Sequence, residues 1–381
     1  MTDSLFVDVH VLQTVPPSNI NRDDTGSPKS ARFGGVKRAR VSSQAWKKAT
    51  RDLFPGMLDG EEIGQRTKRA VDMIADYVAE LKPEADREQA VDAAAKALSA
   101  TGISVKDNFT GYLLFVAPGQ AKALAELAAQ LIETGEAISK KAAKEILDIK
   151  KNPLLNAVDV AMFGRMVTDA PDLNVDASVQ VAHAIGIGKM EPEFDYFTAL
   201  DDRAPEDNAG AAMIETTEFT SSTMYRYANI DVLHLCENLG SAQVACQGIE
   251  AFLRSFVFSM PTGKQNSFAN RTLPAAVVIQ LRDMQPVSLV NAFEKPVEAY
   301  GGKSQVEIGC ERLAVQEAAI DGAFGTSPQK TFVIVASPDA KSLSTAMPGA
   351  LECNLEEAMK EVSRACAGFL NENGFQLEEE N

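Results

Sequence analysis

Apolar positions recur along this chain with two periods, and the changes of period mark out its elements. The stretch LFVDVHVLQ, beginning at Leu5, alternates apolar with polar positions and is rich in β-branched residues, the pattern of a half-buried strand. The turn-rich NINRDDTGSPK follows. Near residue 44 the period lengthens: Ser42 or Ser43 reads as an N-cap, and QAWKKATRDLF places Gln44, Lys47, Lys48 and Arg51 on one helical face with Trp46, Ala49 and Leu53 opposite. From Glu61 to Lys151 the chain turns to Ala, Glu, Lys and Leu at helical period, as in RAVDMIADYVAEL and AKALAELAAQLIETG, which predicts a helical insertion. Strand character returns at 156–167, 176–187 and 217–230. Between the last two, GKMEPEFDYFTALDDRAPEDNAG is too polar for core and too aromatic for a plain linker, and reads as a protruding loop or hairpin. A helix at 241–260, strands at 275–282 and 331–336 and a helix at 354–371 complete the chain before an acidic tail.

With the insertion and loops set aside, the order strand, helix, strand, strand, helix, strand suits an α+β fold of the ferredoxin-like or RNA-recognition type. Spacing alone does not order the strands. The composition, 45% hydrophobic and 24% charged over 381 residues, supports a sizeable core. The N-terminus is acidic where a leader peptide is basic, and no apolar run reaches the length of a membrane span, so the expectation is a cytoplasmic protein without membrane contact. Five widely spaced cysteines form no CxxC pair and suggest neither a disulfide framework nor a zinc site.

Charge changes the picture most. The formal net charge is −16, yet KSARFGGVKRARVSSQAWKKATR, residues 29–51, holds eight of the 37 basic residues and none of the 53 acidic ones. Such a run is commonly a solvated face or a disordered arm. Here it is interleaved with Phe33, Gly34, Gly35, Val36, Val41 and Trp46, which points to a folded anion site. A helix N-terminus aimed at the anion adds its free N–H groups. Gly34 and Gly35 serve either an ordinary turn or a close backbone approach to a ligand. Catalytic signatures are missing: GIGK at 186–189 and TGK at 262–264 lack phosphate-loop spacing, and GxSxG and HExxH are absent. His10 and His183 fall within strands and His234 starts a helix. Asp23-Asp24 and Asp201-Asp202 read as turn and cap residues rather than metal ligands. No cofactor is expected. Three functions remain open at this point: a nucleic-acid-binding protein, an enzyme that uses the basic run as a pocket for a phosphorylated small molecule, and a structural assembly protein without nucleic acid, which would leave the basic run unexplained.

A set of short motifs resolves the choice by resemblance. NRDD (21–24), FGG (33–35), the basic run ending in SSQ (42–44), GRM (164–166), AHAI (182–185), FTALDD (197–202), YRYANI (225–230), ENLGS (237–241) and NAFEKPV (291–297) together resemble the CasC family, the repeating backbone subunit of the type I-E CRISPR surveillance complex Cascade. The likeness runs from about residue 5 to about 300 and then fades. It implies an RNA-recognition-like palm over 1–55 and 156–381, a helical fingers insertion over 56–155 and a thumb hairpin over about 186–216. It also implies a non-catalytic role, in which several copies assemble head to tail along a CRISPR RNA and present it for pairing with target DNA. The implied partners are the large and small subunits, a guide-end capping subunit, a guide-processing endonuclease and a helicase-nuclease recruited through the complex. Carried over position by position, the resemblance places Arg22, Lys29, Gly34, Gly35, Lys37, Arg38, Arg40, Ser42, Ser43, Gln44, Lys47, Lys48, Arg51, Arg165 and Met166 at the guide RNA. Met166 is there an apolar wedge against a base, with a core methionine as the other reading. Tyr196, Phe197, Thr198 and Ile214 would form the base-displacing thumb. Val36 stands where the family pattern can carry a base, which counts against each cation of the run being individually required.

Overall fold

The computed structural model describes residues 4–199 and 213–376. Ten strands form one mixed sheet: β1 (Phe6–Ser18), β2 (Ser30–Phe33), β3 (Val36–Val41), β4 (Val179–Val181), β5 (Ala184–Gly186), β6 (Glu193–Ala199), β7 (Met213–Asp231), β8 (Ala276–Arg282), β9 (Lys330–Val335) and β10 (Ala350–Glu352). The spatial order is β10-β9-β8-β1-β7-β5-β3-β2, with β4 and β6 also paired to β7. Every pairing is antiparallel except β9 with β10.

β1 lies at the centre between β7 and β8, and it is buried on both faces rather than half-buried as its alternation predicts. Val7, Val9 and Val11 enter one hydrophobic cluster with helices α7 (Val232–Leu239), α8 (Ala242–Phe258) and α10 (Leu355–Glu372). The alternate residues Asp8, His10 and Leu12 face helix α9 (Gln305–Phe324) on the other side, where Leu12 joins a second cluster. Asp8 and His10 stay buried because each is satisfied: Asp8 accepts from Tyr227 Oη at 2.9 Å and Val287 N at 2.9 Å, and pairs with Arg282 at 3.0 Å. His10 bonds Tyr225 Oη at 2.8 Å and Gln280 Oε1 at 3.1 Å. A polar position in an alternating strand therefore marks a bonded interior here, not solvent.

The helical insertion comprises α2 (Ala70–Leu81), α3 (Arg87–Ala100), α4 (Pro118–Thr134) and α5 (Lys140–Leu147). It packs around its own cluster, which also takes in Val167, Ala170 and Leu173. The expected strand at 156–167 is instead helix α6 (Val158–Phe163), closed by Gly164. Its five buried residues come in one run, and periodicity does not separate so short a buried helix from a buried strand. Gly164 holds φ +80° with Val175 O close by, a turn that a side chain would block. Helix α9 went unread, although Ser304 caps it by accepting from Glu307 N at 3.2 Å in an S-x-x-E pattern. No helix among the described residues is long and apolar enough to cross a membrane.

Candidate nucleic-acid interface

The basic run folds into two elements. Its first half is the β2–β3 hairpin, which turns at Gly34 and Gly35 with φ +58° and +81°. Its second half is helix α1 (Ser43–Arg51), capped by Ser42, whose Oγ accepts from Ala45 N at 3.3 Å. Asn21 fixes the junction by accepting from Ser42 N at 2.9 Å. Helix α1 buries Trp46 and Thr50, so its packed side includes a hydroxyl, bonded to Ser259 Oγ at 3.2 Å, that the sequence reading had not placed there.

The outer side of α1 forms one wall of a groove of about 700 Å³. Gln44, Lys47, Lys48 and Arg51 line that wall, and Phe163 to Met166 with Asn174 to Ala177 line the other. Arg66, Leu113 and Phe115 also line the groove. Met166 stands 80% exposed, which settles its two readings against the core. Lys47 rests its ammonium 5.6 Å from the centre of the Phe163 ring, and burial draws its pKa down from the ordinary lysine value. Gln44 is exposed, and Lys48 pairs with Asp52 at 2.6 Å near the helix end. The α1 wall is thus polar and cationic, while the facing wall presents the exposed Met166 together with the exposed carboxylate of Asp176, and Leu113 is a second exposed apolar side chain in the lining. Cations on one side with an apolar group opposite suit a phosphate backbone with a base beside it.

Several expected contact residues have other work. Arg38 is fully buried and spends its guanidinium on the carbonyls of Gly186, Ile187, Phe293 and Glu294, at 2.8–3.0 Å. Arg165 is 4% exposed and donates to Leu173 O, Leu147 O and Gln120 Oε1, which ties α6 to the helical insertion. Arg51 donates to Asp159 Oδ2 at 2.5 Å and Gly64 O at 2.6 Å. Burial raises the Asp159 pKa, and the Arg51 guanidinium counters that shift. Ser42 is buried as a cap. A Cβ on Gly34 would overlap Glu294 O, so this glycine meets the chain itself rather than a ligand, while Gly35 faces open space. Charge composition gives the sign of a residue, not its depth, which explains these corrections.

Along the edge of the sheet Lys29 and Arg40 flank His183. Arg40 Nη1 lies 3.0 Å from His183 Nδ1, and desolvation, then the charges of Arg40 and Lys29, depress the histidine pKa. Its ring is therefore neutral and accepts from Arg40. Lys37 and Arg22 are exposed, and Ser43 opens α1 half-buried. On β6, Phe194 and Tyr196 are 68% and 62% exposed, Thr198 is exposed and Phe197 is half-buried. The strand pairs with β7 so that Tyr196 faces Thr216 and Thr198 faces Ile214, whose side chain lies outside the described residues, as do Asp201 and Asp202. Phe194 was missed in the sequence although it shares Tyr196's face by period-2 alternation. Arg66 and Phe163 were missed because the groove gathers them from segments read as insertion and strand.

No curated protein matches the chain. Among solved structures it is similar to a chain of a CRISPR RNA-guided surveillance complex, pre-nicking, at 30% identity and a TM-score of 0.81, covering 95% of this chain and 100% of that one. It is also similar to a chain of a second CRISPR RNA-guided surveillance complex, at 25% identity and a TM-score of 0.70, covering 94% and 99%. These alignments cover nearly the whole chain, beyond about residue 300 where the motif resemblance ends. The family model described as CT1975-like protein matches residues 7–361, and the chain belongs to that family.

Proposed function

We propose that this protein is a CRISPR RNA-binding backbone subunit of a Cascade-type surveillance complex, of the type I-E class that its motifs resemble. The observation that carries this reading is the groove between α1 and Met166, in a chain that aligns nearly end to end with a subunit of such a complex. Gln44, Lys47, Lys48 and Arg66 supply phosphate and sugar contacts, Met166 wedges against a base, and Lys29, Lys37 and Arg40 extend the cationic track. The large sheet is the palm, the helical insertion the fingers, and the β6–β7 hairpin the thumb, whose exposed aromatic face meets the guide of an adjacent copy. Copies pack head to tail, a heterologous contact that stays open until other subunits cap it. The role is binding and presentation of the guide, with sequence read by base pairing. The partners are the other Cascade subunits and the recruited helicase-nuclease.

The test is an RNA titration over a salt series. Contact with several phosphates gives log affinity a slope against log salt of about −0.7 per phosphate for a single strand. Lys47→Ala with Lys48→Ala flattens that slope by roughly one to two phosphates. A nearly salt-independent affinity would point instead to a small-molecule anion pocket.

A further inference from the structure

Among the described residues, four arginines are almost completely buried, and they are treated in two ways. Arg282, on the sheet face toward α9, sits among carboxylates: Asp8 at 3.0 Å, Glu317 at 2.6 Å and Asp321 at 3.9 Å. Arg38, Arg165 and Arg226 have no carboxylate within ion-pair distance among the described residues. Their partners are carbonyls and amide oxygens.

One of the three lines the groove and a second lies behind its α1 wall. Arg165 lines the groove beside Met166. Arg226 stacks 3.8 Å from the ring centre of Trp46, on the buried side of α1 whose opposite side is the groove wall, so its charge lies about one helix diameter behind that wall. Each is held by a glutamine: Gln120 Oε1 accepts from Arg165 Nη1 at 2.8 Å, and Gln13 Oε1 from Arg226 Nη1 at 2.6 Å. Burial lowers their pKa values, to about 10 and about 9, which leaves both charged at neutral pH.

Gln120 is the telling residue. It lies near the start of α4, where the helix dipole favours a negative charge. Its Nε2 is buried without a partner, and its Oε1 faces a buried, unneutralised guanidinium. Glutamate would be better on all three local counts. We infer that Gln120 and Gln13 keep Arg165 and Arg226 as uncompensated cations beneath the groove, and that their field, rather than direct contact, helps draw RNA phosphate into it. A buried charge is screened by salt far less than the surface lysines, so this part of the attraction outlasts theirs as ionic strength rises. The inference rests on the RNA-binding reading and adds to it residues that never touch the ligand.

The test separates field from fold. Gln120→Glu neutralises Arg165 without removing it, and Gln130→Glu adds the same charge at an exposed position further along the same helix. The full-length chain carrying Gln120→Glu is expected to unfold at higher denaturant than wild type, yet to bind single-stranded RNA about fourfold more weakly at moderate salt, the size expected for one unit charge across a partly wet groove. Gln130→Glu should bind like wild type. Gln13→Glu repeats the comparison at Arg226, giving up the bond from Gln13 Nε2 to Thr272 O. Unchanged RNA affinity in Gln120→Glu, or a loss matched by Gln130→Glu, would overturn the inference, as would a less stable Gln120→Glu protein. Wild-type chain that binds no RNA would instead overturn the functional reading beneath it.

Discussion

Met166 and Arg165 are neighbours in sequence and opposites in environment. The apolar side chain stands in solvent and the charged one is buried, which inverts what hydropathy assigns to them. The inversion separates their roles: the buried cation is spent on Leu173 O, Leu147 O and Gln120 Oε1, and the exposed methionine stands in the groove. Met166→Ala should leave stability within about 0.5 kcal/mol of wild type while weakening RNA binding several-fold, measured by urea unfolding and by anisotropy. Arg38→Ala should do the reverse. It leaves four carbonyl acceptors without their donor and should cost about 3 kcal/mol or more, with any loss of RNA binding tracking the unfolded fraction. The sequence supplied the cations and the methionine beside them, but not which cations were spent inside. That distinction depends on carbonyls from residues 186–187 and 293–294, more than a hundred residues away in the chain.

The β2–β3 hairpin and α1 show how a single charged run becomes two elements. Successive positive φ values at Gly34 and Gly35 close a tight turn, yet the two glycines differ in their surroundings. Gly35→Ala should cost about 1 kcal/mol, the strain of a left-handed residue. Gly34→Ala adds an overlap with Glu294 O and should cost several times more, read as the difference in unfolding midpoints. The helix was legible because its cap, its polar face and Trp46 share one period. The strand expected at 156–167 was not: α6 is a single buried stretch, and its type is decided by packing on α7 and α8, not by local pattern. The aromatic alternation of β6 was legible only as something protruding.

In the molecule taken whole, the sheet carries helices on both faces, and its centre is ionic on the α9 side. Desolvation pushes the Asp8 pKa up to about 7, against the lowering effects of Val287 N, Arg282 and Tyr227. The unfolded value is about 3.9, so the folded state binds the proton more tightly. The stability this proton contributes is complete below about pH 4 and is lost as the pH rises through about 7. Glu317 shifts in the same direction, again through burial. Buried His10, its pKa pulled down to about 3 by desolvation, works the other way in both proteins as the pH falls below about 6.5. The Asp8 contribution is therefore read against Asp8→Asn: between pH 5.5 and pH 8 the urea midpoint of wild type should fall relative to that of the variant. The overall α+β class and the inserted helices followed from periodicity. The strand order did not, because long-range pairings such as Phe6 with Asp231 leave no mark in local spacing.

The most direct measurement is the nucleic acid that accompanies the protein when it is co-expressed with a CRISPR array and partner subunits, quantified by the 260/280 nm absorbance ratio and sized after extraction. Wild type should carry a discrete RNA. Gln44→Ala combined with Lys47→Ala and Met166→Ala should lose it while keeping a wild-type unfolding midpoint. A folded wild-type protein that carries no RNA, or a triple variant that retains it in full, would contradict the assignment of this groove to the guide.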